Sequence, residues 1–135
     1  MNMGWKCILL VDDQKEILYT LAEGLRASDG EFVVFTAENG REALEIFRSG
    51  QRIDLLVTDI EMPVMDGFEL LARVKRDYPA TPALVLTGNI TPEIETMLRI
   101  IGDYRCLQKP VGFRKLHRKI TDELRRHSAH DENKE

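Results

Sequence analysis

Cysteine is scarce in this chain: Cys7 and Cys106 are the only two among 135 residues. Two cysteines without a secretory pattern build no disulfide framework. They make no zinc site either, because no Cys or His partner stands at ligand spacing from them. Each lies in a predicted strand, where a free thiol behaves as a small hydrophobe. Long apolar runs are missing as well. None approaches the roughly 20 residues that cross a bilayer, so no membrane span is expected. Met1-Asn2-Met3-Gly4-Trp5-Lys6 lacks a signal-peptide pattern, and the apolar run after it ends in two aspartates with no small-residue cleavage site. A cytoplasmic location is the expectation. A basic excess is also absent: 19 Lys and Arg face 23 Asp and Glu, a net charge of −4. That gives no global attraction to nucleic acid or membrane. The chain has no internal repeat and no long linker.

What is present suits one globular domain. A length of 135 residues, 43% apolar and 31% charged, is ordinary for such a unit. A chain of this size buries roughly two-thirds of its unfolded surface and needs no disulfide or metal to fold. Apolar runs and helical periodicities alternate along it. Residues 6–11 form a continuous apolar run, as in a central strand covered on both faces. Ile17, Leu18, Leu21, Ala22 and Leu25 then repeat at helical spacing, up to the turn cluster Ser28-Asp29-Gly30. Phe32 to Thr36 is rich in β-formers. Asn39-Gly40 opens a helix with Ala43, Leu44 and Phe47, closed by Ser49-Gly50. A third strand is predicted over 53–58 and a loop over 62–67. The next helix carries Phe68, Leu71, Val74 and Tyr78, and a fourth strand covers 83–87. Thr91 and Pro92 have the N-cap and first-turn chemistry of a helix start. Ile94, Met97, Leu98 and Ile101 make its apolar face, and Gly102 is placed to end it. A fifth strand follows at 104–108, then a helix with Phe113, Leu116, Ile120 and Leu124 inward.

Five strand–helix units predict an α/β fold: a doubly wound (βα)5 domain with a parallel sheet and helices on both faces. Right-handed crossovers leave few strand orders. The flavodoxin-like order 2-1-3-4-5 fits, with its switch point between strands one and three. Ligands of such sheets bind beyond the carboxyl ends of the strands. There the runs end in Asp12-Asp13, Asp59, Thr87 and Lys109-Pro110. Three clustered carboxylates resist simultaneous ionisation. A hard divalent cation relieves that, and Mg²⁺ takes one or two carboxylates while keeping waters and a phosphate oxygen. A carboxylate can also act as the nucleophile that forms an aspartyl phosphate. Lys109 can neutralise a phosphoryl oxygen as a point charge, and Thr87 can donate a hydrogen bond to another. Any one of these residues could simply solvate a sheet edge. The ordered set points to phosphoryl chemistry.

Residues 8–13, Ile-Leu-Leu-Val-Asp-Asp, the stretch Asp59-Ile-Glu-Met-Pro-Val-Met-Asp-Gly67, Leu86-Thr87-Gly88 and Lys109-Pro110 together resemble the receiver domain of bacterial two-component response regulators. The resemblance covers about residues 6–126, so residues 1–127 are expected to be the domain and 128–135 a short, frayed polar tail. It implies a phosphoacceptor switch, and not an enzyme beyond self-phosphorylation and self-dephosphorylation. Asp59 would accept a phosphoryl group from a sensor histidine kinase or a phosphotransfer protein. Asp13 and Asp59 would ligate Mg²⁺ (or Mn²⁺) directly and Asp12 through water, with the backbone carbonyl of Glu61 completing the protein ligands. Thr87 would reach the phosphoryl group and draw its loop inward, Lys109 would pair with acceptor and phosphate, and Pro110 would be cis.

The sequence departs from the family at Cys106, where many receivers carry Tyr or Phe as a rotating switch. Tyr104 lies about 6–7 Å further back along the strand. The output would then rest on the Thr87 loop and helix 91–101. Glu61 and Asn89 flank the site, at positions that tune phosphate lifetime in the family; Glu61 could pair with Lys109 or be a solvated loop residue. Arg114, Lys115, Arg118, Lys119, Arg125 and Arg126 crowd the last helix against only Asp122 and Glu123. They form a solvated face or a docking surface for an acidic partner, within the 91–126 face that would serve output. His117, His127 and His130 are read as surface residues. Direct nucleic-acid binding is not expected. The oligomeric expectation is a monomer or a phosphorylation-linked homodimer. Two other classes compete: an aspartate-nucleophile phosphohydrolase, which usually has Asp where Glu61 stands, and a receiver-like binding module that is never phosphorylated.

Overall fold

A computed structural model describes residues 4–29 and 31–132, with side chains described through residue 128. Ten elements alternate: β1 (Lys6–Val11), α1 (Lys15–Ala27), β2 (Phe32–Ala37), α2 (Gly40–Arg48), β3 (Leu55–Asp59), α3 (Gly67–Asp77), β4 (Ala83–Thr87), α4 (Pro92–Gly102), β5 (Arg105–Gln108) and α5 (Phe113–Glu132). The five strands are parallel and ordered β2-β1-β3-β4-β5. This is the doubly wound architecture that the alternation predicts, with β1 and β3 adjacent at the switch point.

Successive strand residues serve opposite faces. Ile8 and Leu10 of β1 join Leu18, Leu25, Leu116 and Ile120 in a core beneath α1 and α5. Leu9 and Val11 join Leu44, Phe47, Leu71, Val74 and Leu98 in a second core beneath α2, α3 and α4. Double coverage explains why β1, β3 and β4 are continuous apolar runs. At the far end of β1, the Asp54 carboxylate accepts from Cys7 N–H at 2.7 Å, and Asp54 N–H donates to the Cys7 carbonyl at 2.8 Å. That exchange locks β1 to the approach of β3, which begins at Leu55, two residues after Ile53.

The helices differ in how much of their apolar sequence they bury. Helix α1 buries Leu18, Leu21, Ala22 and Leu25, and leaves Ile17 exposed. Helix α4 buries only Leu98, and Met97 and Ile100 are exposed. Gly102 is the last residue of α4, and the left-handed residue is Asp103, with φ of 57°. Asp is one of the few residues that visit this region readily. Gly102 serves a different need: a Cβ there would lie 2.7 Å from the Tyr104 ring. Helix α5 continues to Glu132, past residue 127, helped by Glu123 pairing with Arg126 and His127 one turn on. Residues 133–135 of the expected tail lie outside the described residues. No helix among the described residues is long and apolar enough to cross a membrane.

Candidate functional site

The carboxyl ends of β1, β3, β4 and β5 gather the polar residues of the strand ends. Asp12 follows β1 and is buried, with its backbone N–H bonded to the Ala37 carbonyl and its Oδ1 accepting from Gln14 N–H at 2.9 Å. Asp59 closes β3 and is buried too; its Oδ1 accepts from Ile60 N–H at 2.8 Å. Asp13 is exposed beside them. One carboxylate oxygen from each of Asp12, Asp13 and Asp59 lies within 4.8 Å of the others.

Lys109 reaches this cluster from the end of β5. Its Nζ donates to Asp12 Oδ2 and Asp59 Oδ2, each at 2.9 Å. The Lys109 N–H donates to the Thr87 carbonyl at 2.7 Å, which registers the lysine against β4. The Lys109–Pro110 peptide is cis. Burial acts against the ammonium, but its hydrogen bonds to Asp59 and Asp12 outweigh that and hold its pKa above the usual lysine value. Asp59 has the opposite balance. Burial raises its carboxyl above the usual range, and the hydrogen bond from Lys109 only partly offsets this. The two directions agree once the charges are counted: one ammonium is shared between two buried carboxylates, so Asp59 stays under-compensated.

Three carboxylates against one ammonium leave two negative charges, the charge of one divalent cation. The donors are all oxygen, which suits a hard ion such as Mg²⁺. The residues present therefore fit that ion.

Thr87 is fully buried, yet its hydroxyl makes only long contacts, 3.4 Å to both the N–H and the carbonyl of Asn89. A hydrogen bond of that length is weak. Glu61 and Asn89 are exposed at the rim, and Glu61 is not a partner of Lys109. Cys106 is half-buried against the core under α4, and burial, with the charge of Glu95, pushes its thiol pKa up.

Three features of the 60–67 loop go beyond the sequence reading. Asp66 caps α3, accepting from Glu69 N–H at 2.9 Å, and the Asp-x-x-Glu spacing at 66–69 carries that signal. Gly67 N–H donates to the Ile60 carbonyl at 2.7 Å, and a Cβ on Gly67 would collide with the Asp59 carbonyl oxygen. Glycine is thus required for α3 to begin against the end of β3. Val64 has a φ of 72° inside a tight turn closed by Met65 N–H on the Pro63 carbonyl at 2.7 Å. Positive φ is a genuine outlier for a β-branched residue, and no sequence rule announces it.

A parallel five-stranded sheet with this strand order, carrying buried Asp and Thr and a partly buried Lys at its carboxyl edge, defines a receiver-type α/β domain. Residues 8–121 match the family described as the response regulator receiver domain. The chain belongs to that family. It is 40% identical over 104 residues to a response regulator receiver protein of Anaeromyxobacter sp. (strain Fw109-5), covering 77% of this chain and 42% of that protein. It is 34% identical over 119 residues to the transcriptional regulatory protein GlrR of Escherichia coli (strain K12), covering 87% of this chain and 26% of that protein. The chain thus spans less than half the length of these relatives. A CheY-like receiver domain protein from Methanospirillum hungatei JF-1 superposes with a TM-score of 0.86 at 28% identity, covering 94% of this chain and 99% of that one.

Proposed function

We propose that this receiver domain is a phosphoacceptor switch in which Asp59 takes a phosphoryl group from a phosphohistidine of a sensor kinase or phosphotransfer protein. An Asp59 carboxylate oxygen forms the new O–P bond as the P–N bond to the donor imidazole breaks. The supporting observation is the convergence of Asp59 with Asp12, Asp13 and Lys109: carboxylate oxygens within 4.8 Å of one another and Nζ at 2.9 Å from Asp59. Asp13 and Asp59 would hold Mg²⁺ directly, with Asp12 through water and the Glu61 backbone carbonyl as a further ligand. When bound, the ion supplies charge neutralisation for the phosphoryl oxygens. Lys109 stays charged in this setting and follows the charge from carboxylate to phosphate.

Thr87 is the link to output. Its hydroxyl has only weak partners to give up, so a phosphoryl oxygen can win it and carry residues 87–89 inward. The next element is α4, which buries one side chain only and is the helix most easily shifted. Cys106 offers no ring to rotate, so the movement runs through the Thr87 loop. The output partner would meet the 91–126 face. There Arg114, Lys115, Arg118 and Arg125 are exposed on α5, which favours an acidic protein surface over an apolar one. Residues 1–127 act as the switch in this reading, in a cytoplasmic setting.

Incubation with acetyl phosphate and Mg²⁺, followed by intact mass, tests the proposal. A phosphoryl adduct is expected on the wild type and none on Asp59→Asn, whose amide is isosteric but not nucleophilic. Undiminished labelling of the mutant, or steady turnover without an adduct, would overturn it. Amide shifts on adding a phosphate mimic test the output route. Cys106→Ala should preserve them in residues 87–101, and Thr87→Ala should remove most of them.

A further inference from the structure

The opposite edge of the sheet holds a second polar site. A cleft of about 320 Å³ opens at the amino ends of β4 and β5, walled by the 79–82 loop, the end of α4 and the last turns of α5. Lys75, Arg126 and His127 line it, against one acid, Asp103. Tyr104 lines it too, and its hydroxyl is buried without a hydrogen-bond partner among the described residues. Buried phenol hydroxyls normally find a partner, so this one is an open donor. Burial raises the Tyr104 pKa, which keeps the proton on the oxygen.

The site is organised from behind. Glu123 is buried on α5 and holds Arg126 Nη2 at 2.9 Å, with His127 Nε2 at 3.8 Å. That holds the Arg126 guanidinium and the His127 ring at the cleft wall. Lys75 forms no ion pair among the described residues and is the uncommitted charge. The loop wall is tied down by Thr81 N–H on the Tyr78 carbonyl and Leu56 N–H on the Pro82 carbonyl, both at 3.0 Å. Gly102 leaves the room that the Tyr104 ring needs.

We infer that this cleft binds a small organic anion, a phosphate ester or a carboxylate, with the Tyr104 hydroxyl donating to it, Lys75 supplying the unpaired charge, and Arg126, already paired with Glu123, offering its remaining N–H groups. It lies at the other end of the strands from Asp59 and is independent of the phosphoacceptor reading. Occupancy would tie α5 to the 79–82 loop.

The test is an amide-shift titration of the full chain, metal-free, with glycerol 3-phosphate and with citrate, and with sodium chloride at matched ionic strength. Saturable shifts at Thr81, Ala83, Asp103 and Tyr104 are expected with at least one organic anion and not with chloride. Shifts with only one probe assign the phosphate or the carboxylate class. Tyr104→Phe keeps the ring, and Lys75→Ala is an exposed change; each should weaken binding by about three- to tenfold, the loss of one hydrogen bond or ion pair. Three results would overturn the inference: no saturable shift, shifts reproduced by chloride, or affinity unchanged in both variants.

Discussion

Val57 and Asp59 lie two residues apart on the same face of β3, at 1% and 6% exposure. Val57 is enclosed by Leu10, Leu84 and other apolar side chains, so its burial is favourable wherever the sheet forms. Asp59 is as well enclosed, but as an under-compensated carboxylate, and its burial opposes folding. Within eight residues of Asp59 the chain also accepts a strained Val64 and a backbone approach that admits only glycine at 67. Such concentrations of cost persist where the surrounding structure over-determines them. The apolar strand interiors supply that surplus, so substitutions that relieve a cost at the edge should stabilise, whereas truncations in the interior should not.

The largest expected effect is in the interior. Leu56 is fully buried, and Leu56→Ala should lower unfolding free energy by about 2–5 kcal/mol through lost burial and a cavity. Labelling of Asp59 should survive at temperatures where the variant is folded. Urea unfolding with parallel mass labelling checks both. Loss of labelling in a folded variant would break the separation between interior and edge.

Next is Gly67→Ala. The added Cβ meets backbone atoms of Asp59 and Ile60, which cannot swing aside as a flexible side chain would. Overpacking of this kind costs about 1–3 kcal/mol. Unlike Leu56→Ala, it should also slow phosphorylation, because the atom displaced belongs to the acceptor residue. Equal labelling rates in wild type and Gly67→Ala would show that the close approach positions nothing.

The same contrast explains what the sequence reveals. The interior is legible because its rules are local: apolar runs mark doubly covered strands, and 3.6-residue periodicity marks the helix faces. Connection rules leave only a few strand orders, and the observed one is the order that fits among them. The acidic cluster, Thr87 and Lys109 are legible because each ends a strand, and the topology brings strand ends together. Other features depend on what meets them in space. Gly102 reads as a helix stop, but it answers to the Tyr104 ring, and the stop falls on Asp103. The α4 periodicity suggests a full apolar face of Ile94, Met97, Leu98 and Ile101, yet Met97 stays exposed and only Leu98 is fully buried, because periodicity reports amphipathicity and not what covers it. That Lys109 bridges Asp12 as well as Asp59 is a side-chain fact with no sequence signal.

Asp59→Asn carries the comparison to pH. The folded-state pKa of Asp59 is raised, so between the ordinary carboxylate value and the folded value the native state binds more protons than the unfolded chain. Stability then falls as pH rises through that window, and the full cost is present above it. The neutral amide removes the cost. Metal-free Asp59→Asn should therefore melt higher than wild type at neutral pH, with the difference shrinking in acid. Adding Mg²⁺ should raise the melting temperature of the wild type more than that of the variant. A variant less stable than wild type at neutral pH without metal would mean that Lys109 compensates Asp59 fully.

Val64→Gly should show the smallest effect and the clearest sign. Val64 is 67% exposed, so removing its side chain forfeits little burial. Its φ of 72° lies where glycine is at ease and a β-branched residue is not. Relief of that conformation is worth about 1–3 kcal/mol, against about 0.5–1 kcal/mol for the greater freedom of glycine in the unfolded chain. The balance is a gain of about 1 kcal/mol, read as a higher urea midpoint with an unchanged slope. The neighbouring anchors do not involve the Val64 side chain: Gly67 N–H on the Ile60 carbonyl, and Met65 packed over Gly40. The loop should keep its course, and labelling of Asp59 should be unaffected. A loss of stability would mean that the turn at Val64 is relaxed, and the carboxyl edge would then carry its cost in the buried charges alone.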